Sequence, residues 1–90
     1  PLRHIALYHP AFKEICESKI YLKKALGFIK TNNIPEGRVE IRVSPKAVSQ
    51  MTGQKKANLH ALSQLGYKAK VTADGTLEKY KVYVLRNDTL

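Results

Sequence analysis

Between Glu40 and Asp74 the chain has no carboxylate, and all seven of its acidic residues fall outside that stretch. Within it remain Arg42, Lys46, Lys55, Lys56, Lys68 and Lys70. A segment so biased excludes paired-carboxylate acid–base chemistry there and favours an anionic partner. Elsewhere Glu14 and Glu17 stand about one helical turn apart and read as a solvated face, not as a catalytic pair.

Cysteine is also scarce. The single Cys16 excludes an internal disulfide and a multi-cysteine zinc site, and it fits an intracellular protein, cytoplasmic or nucleoid/nuclear. No apolar run approaches the ~20 residues of a membrane-spanning helix. The N-terminus, Pro1-Leu2-Arg3-His4, lacks Met and a long apolar core, so no secretory signal is expected and the chain reads as a piece of a longer protein. His4, His9 and His60 lack metal-ligand spacing, and there is no glycine-rich phosphate loop. The expectation is no metal, no cofactor and no catalysis in this chain alone, which is compatible with a targeting domain of a larger enzyme.

What is present is a basic globular domain. With 90 residues, 43% hydrophobic and 26% charged, the chain is expected to form one domain over residues 1–90, with its core at about 11–85. Its net charge is +9, with a pI of about 9.9. An anionic membrane surface would call for one strongly basic amphipathic helix. Here the acid-free stretch spans several elements, which suits the phosphates of a nucleic acid. The plainer reading of the same charge is solubility without a partner.

Residues 2–8 read as a short strand or tail, ended by His9-Pro10. Residues 11–31 read as helix, with Phe12, Ile15, Cys16, Leu22, Leu26 and Ile29 on one side. Lys19 falls inside that stripe. Either it snorkels along the apolar face or the helix breaks near Ser18 and restarts, and one long or bent helix is the favoured reading. Arg38 to Ser44 alternates as a strand, with Val39, Ile41 and Val43 inward. Ser44-Pro45 signals a helix start and Gly53 its stop. A second helix, about 55–65, has Leu59, Leu62 and Leu65 as its buried ridge and Lys56, His60, Ser63 and Gln64 opposite. Tyr67 to Ala73 alternates again. Asp74-Gly75 signals a turn, and Lys79 to Leu85 reads as a return strand with Tyr80, Val82 and Val84 inward. Residues 86–90 read as a tail.

The run Ser44-Pro45-Lys46-Ala47-Val48-Ser49-Gln50-Met51-Thr52-Gly53, followed by Gln54-Lys55-Lys56-Ala57-Asn58-Leu59-His60-Ala61-Leu62-Ser63-Gln64-Leu65, resembles a winged helix-turn-helix DNA-binding domain. Ser49 is small where the helices would cross, Gly53 serves the turn, and Leu59 and Leu62 lock the second helix onto the first. Gln54 departs from the apolar residue the family prefers after its turn glycine. The resemblance implies an α+β fold of three helices with a three-stranded antiparallel sheet and a C-terminal β-hairpin wing. It also implies duplex DNA binding, sequence-specific or structure-specific, through a recognition helix at 55–65 and a basic hairpin at 68–85. Lys46, Gln54, Lys55, Lys56, Asn58, His60 and Gln64 would face the nucleic acid, and Lys68, Lys70, Lys79 and Lys81 would charge the wing.

The same residues, Gly53-Gln54-Lys55-Lys56 within a strand–helix–helix order, also resemble the KH domains that bind single-stranded RNA or DNA. There a Gly-x-x-Gly loop clamps the backbone. Lys56 stands where that family has its second glycine. A third reading is a protein-interaction module. Tyr83 could stack a base, though packing on an edge strand is the plainer account.

Overall fold

The computed structural model describes residues 10–87. The expectations for residues 2–8, for His4 and His9 and for the last residues of the tail lie outside the described residues, as do the side chains of Phe12 and Glu14. Alternation of Val39, Ile41 and Val43, all buried, makes β1 (Gly37–Val43) the middle strand of a three-stranded sheet. After β1 the chain makes a short 3-10 turn at Pro45–Ala47, then α2 (Val48–Thr52), a second 3-10 turn at Gln54–Lys56, and α3 (Ala57–Gln64). It returns as β2 (Tyr67–Ala73), parallel to β1, with Arg38 opposite Lys68 and Glu40 opposite Lys70. A parallel return needs a crossover, and the helix pair supplies it.

The last strand, β3 (Tyr83–Arg86), pairs antiparallel with the other edge of β1, with Val84 opposite Ile41. The order is therefore β2-β1-β3, and the sheet is mixed rather than antiparallel. Because β1 lies between them, β2 and β3 do not form the expected wing hairpin over 68–85. The Asp74-Gly75 turn starts a crossing instead. Asp74 N–H donates to the Val43 carbonyl at 2.8 Å, and the Asp74 carboxylate accepts from the Thr76 amide at 2.9 Å and the Thr76 hydroxyl at 2.6 Å. The chain then passes the end of β1, and Tyr80, Val82 and Val84 reach apolar surface on the far side. That burial outweighs direct pairing with β2. The return strand is correspondingly shorter than expected.

Helix α1 (Pro10–Thr31) is continuous over 22 residues and covers one face of the sheet with Tyr21, Ala25 and Ile29. Its buried stripe is rotated by roughly a quarter turn from the expected one, at 100° per residue. Ile15 is 41% exposed, Cys16 is exposed, Lys19 points to solvent, and Ser18 is buried in their place. Small Ala25 admits close packing, and Tyr21 carries a hydroxyl that serves the crossing segment. Glu17, expected on a solvated face, is half-buried. In α3 Leu62 is buried as expected, but Leu59 is only half-buried and Leu65, just past the helix, is 51% exposed. Asn58 occupies the inner position instead. No described helix is long and apolar enough to cross a membrane.

Candidate nucleic-acid interface

The junction of α2 and α3 is built around Gly53. Its φ of 83° and ψ of 163° lie outside the range ordinary residues favour. A Cβ there would come within 3.0 Å of the Asn58 amide nitrogen. Lys55 (φ 52°, ψ 32°) and Lys56 (φ 61°, ψ 32°) then follow in left-handed backbone, where each L-residue costs roughly 1–2 kcal/mol. The Lys56 N–H closes the turn on the Gly53 carbonyl at 3.1 Å. The helix at 55–65 is thus shorter than expected, and its two leading lysines belong to the turn that precedes it.

Asn58 is the correction among the residues expected to face the nucleic acid. It is 5% exposed, and its side-chain amide donates to the carbonyls of Ser18 (2.8 Å), Met51 (3.0 Å) and Gln50 (3.2 Å). A side chain spent on three carbonyls of α1 and α2 cannot read a base. It pins the start of α3 to both earlier helices, so it fixes the turn without facing a partner.

Gln54, Lys55, Lys56, His60 and Gln64 are exposed, and His60 and Gln64 stand at the four-residue spacing that keeps side chains on one face of α3. No ion pair joins Lys55 or Lys56 to any described carboxylate. Gln54 also borders a small recess with Ser18, Ser49, Gln50 and Gly53.

The other expected residues lie elsewhere. Lys68 and Lys70 are exposed on β2 and line a shallow depression with Arg38 and Asn87. Lys46 and Lys79 share a cavity with Glu17, Tyr21 and Gln50, where the Glu17 carboxylate lies 4.0 Å from the Lys79 ammonium. Folding therefore brings an acid to one of the basic residues that sequence had placed in the wing. Arg42 is similarly engaged, by Glu40 at 3.3 Å and Asp74 at 3.7 Å. The Thr76 hydroxyl and amide, then Arg42, hold the Asp74 carboxyl below its ordinary pKa.

Sequence reasoning missed two features. The paired left-handed lysines leave no signal beyond Gly53 itself. The partners of Tyr80 on α1 lie 59 and 63 residues away and follow no local pattern. Among the described residues no cluster of three or more His, Cys, Asp or Glu side chains could hold a metal ion. No protein-family model, curated protein or solved structure matches the chain.

Proposed function

We propose that this domain binds single-stranded nucleic acid in a KH-like manner, with the Gly53–Lys56 turn holding the sugar–phosphate backbone and the exposed face of α3 beside it. The observation that carries this reading is the left-handed pair Lys55–Lys56 at the junction of two helices that connect parallel strands. In the KH-like pattern a glycine ends the loop because the backbone there is close to its ligand. Lys56 takes a backbone conformation that suits glycine while presenting an ammonium group. Lys55 and Lys56 would neutralise phosphates, and His60 and Gln64, one and two helical turns on, would lie near the bases.

The duplex alternative loses one of its two supports, because residues 68–85 form no hairpin that could lie along a groove. The test is fluorescence anisotropy of the chain with labelled single-stranded RNA, single-stranded DNA and mixed-sequence duplex, at low and moderate salt. Single strands are expected to bind more tightly. The double variant Lys55→Gln/Lys56→Gln is expected to flatten the log–log salt dependence by about 1.4, at roughly 0.7 for each phosphate that is no longer neutralised. Duplex preference would return the winged-helix reading. Binding to none of the three would leave the protein-interaction module.

A further inference from the structure

We infer that a second site lies on the opposite flank of α1, a groove between this helix and residues 80–82 that takes one unstacked base of a single-stranded nucleic acid with its phosphate. The groove is lined by Lys24, Gly27, Phe28, Tyr80, Lys81 and Val82, and its volume of about 430 Å³ lies within the range of small-ligand sites. Space above Gly27 is open, since a Cβ built there meets nothing within 4 Å.

Three features meet at or beside this groove. The first is a concentration of rings. Phe28 and Tyr80 line the groove; Tyr83, just outside it, packs edge to face on Phe28 with centroids 5.2 Å apart, and the buried Tyr21 lies 5.7 Å from Tyr80 at a 32° tilt. Tyr83 remains 46% exposed beside Phe28, so its ring is available at the border of the groove to stack on a base that extends from it. The second is charge. Lys24 and Lys81 are the ionisable residues of its lining apart from the Tyr80 phenol, with no described carboxylate among them. Glu17 lies beyond Tyr80, occupied by the Tyr80 hydroxyl at 3.2 Å and by Lys79 at 4.0 Å. An anionic occupant is therefore matched, and an acidic side chain does not already fill that role.

The third feature is backbone strain. Tyr80 has φ 67°, a conformation that bulky side chains rarely adopt. Its N–H donates to the Tyr21 hydroxyl at 2.8 Å, which holds the ring in place beside the groove. Strained backbone held by surrounding contacts is common at ligand clamps. Ring faces with flanking ammonium groups form the recognition chemistry of single-stranded nucleic acids, where any base supplies a π-face and its phosphate supplies the charge.

This inference does not require the Gly53–Lys56 turn to bind, and the experiment separates the two. The full chain, labelled with ¹⁵N, is titrated with uridine 5′-monophosphate, and binding of a single-stranded oligouridylate hexamer is measured by anisotropy. Amide shifts are expected at Gly27, Phe28, Lys81 and Val82. Tyr83→Ser is expected to weaken hexamer binding by about 5- to 150-fold, the effect of losing one stacked base, while Tyr83→Phe stays within about twofold of the parent. Lys24→Gln, at an exposed position, should lower the salt slope by about 0.7. Unchanged hexamer affinity in both Tyr83→Ser and Lys24→Gln would overturn the inference. If Lys55→Gln/Lys56→Gln alone weakens binding, the turn stands and the groove falls. If Tyr83→Ser alone does so, the groove stands and the turn falls. No binding of hexamer or nucleotide by the parent chain would remove both.

Discussion

The Gly53–Lys56 turn and the groove at Tyr80 both hold non-glycine residues in left-handed backbone, but by different means. At the turn, the lysine side chains are free in solvent and the constraint is a backbone hydrogen bond, backed by the Asn58 amide beneath. At Tyr80, the constraint comes from side chains of α1: Tyr21 accepts the backbone N–H and Glu17 accepts the phenol. The turn is thus a strained platform carrying mobile charge, and the groove is a strained platform carrying fixed rings. That difference suits the first to phosphates, which need charge without orientation, and the second to a base, which needs a defined plane.

The comparison can be broken one side at a time. The largest effect is expected from Asn58→Ala, which leaves a void beneath the turn and removes a buried donor shared by three carbonyls. It should cost about 1–3 kcal/mol in chemical denaturation. A denaturation midpoint equal to that of the parent would mean that the Asn58 amide does not hold the turn. Tyr21→Phe is the matching change on the other side. It deprives the Tyr80 N–H of its acceptor and should cost about 1 kcal/mol. Hydrogen exchange is expected to quicken at the Tyr80 amide while the Lys56 amide keeps its protection; equal acceleration at both would show the two regions to be one cooperative unit.

A smaller change of opposite sign is expected from Lys56→Gly. Relief of the left-handed cost, partly offset by the greater freedom of glycine when unfolded, should raise stability by about 0.5–1 kcal/mol. Affinity for single strands should fall at the same time, because the ammonium is lost. A rise in stability with unchanged binding would separate the strain from the function. The smallest effect concerns the crossing that links the two regions. The folded Asp74 carboxyl has a lowered pKa, so its contribution is present above the unfolded value near 3.8 and fades as pH falls through the lower folded value. Asp74→Asn should therefore lower stability slightly at neutral pH and flatten the acid limb below about pH 4, so that parent and variant converge in acid. A parallel acid limb in parent and variant would remove Asp74 from that transition.

Period-two alternation made β1 legible, and the inward set Val39, Ile41 and Val43 is the one observed. Gly53 was legible as a helix stop because its role is local. It has positive φ, as does Gly66 after α3, where a side chain would strike the Glu36 carboxyl. The face of α1 was not legible. Counting apolar residues selected Ile15 and Cys16, whereas the sheet is covered by Tyr21 and Ala25, chosen for a hydroxyl and for small size. Asn58 was misassigned for a related reason. Its side chain suits adenine recognition as well as it suits backbone carbonyls, and only the proximity of Ser18, 40 residues earlier, decides between them.

The amino-acid sequence by itself determined the elements that depend on near neighbours: strand alternation, the glycine stop at Gly53, the two-helix connection and the acid-free stretch from residue 41 to 73. Strand order was left to the tertiary structure. An Asp-Gly turn is compatible with both a hairpin and the start of a crossing. The choice came from burial of Tyr80, Val82 and Val84 against α1 and β1, contacts made between residues far apart in the chain. The same long-range packing placed acids beside Arg42 and Lys79 and left Lys55 and Lys56 exposed without an ion pair to any described carboxylate. Charge can be counted along a sequence, but its neutralisation depends on distance in space.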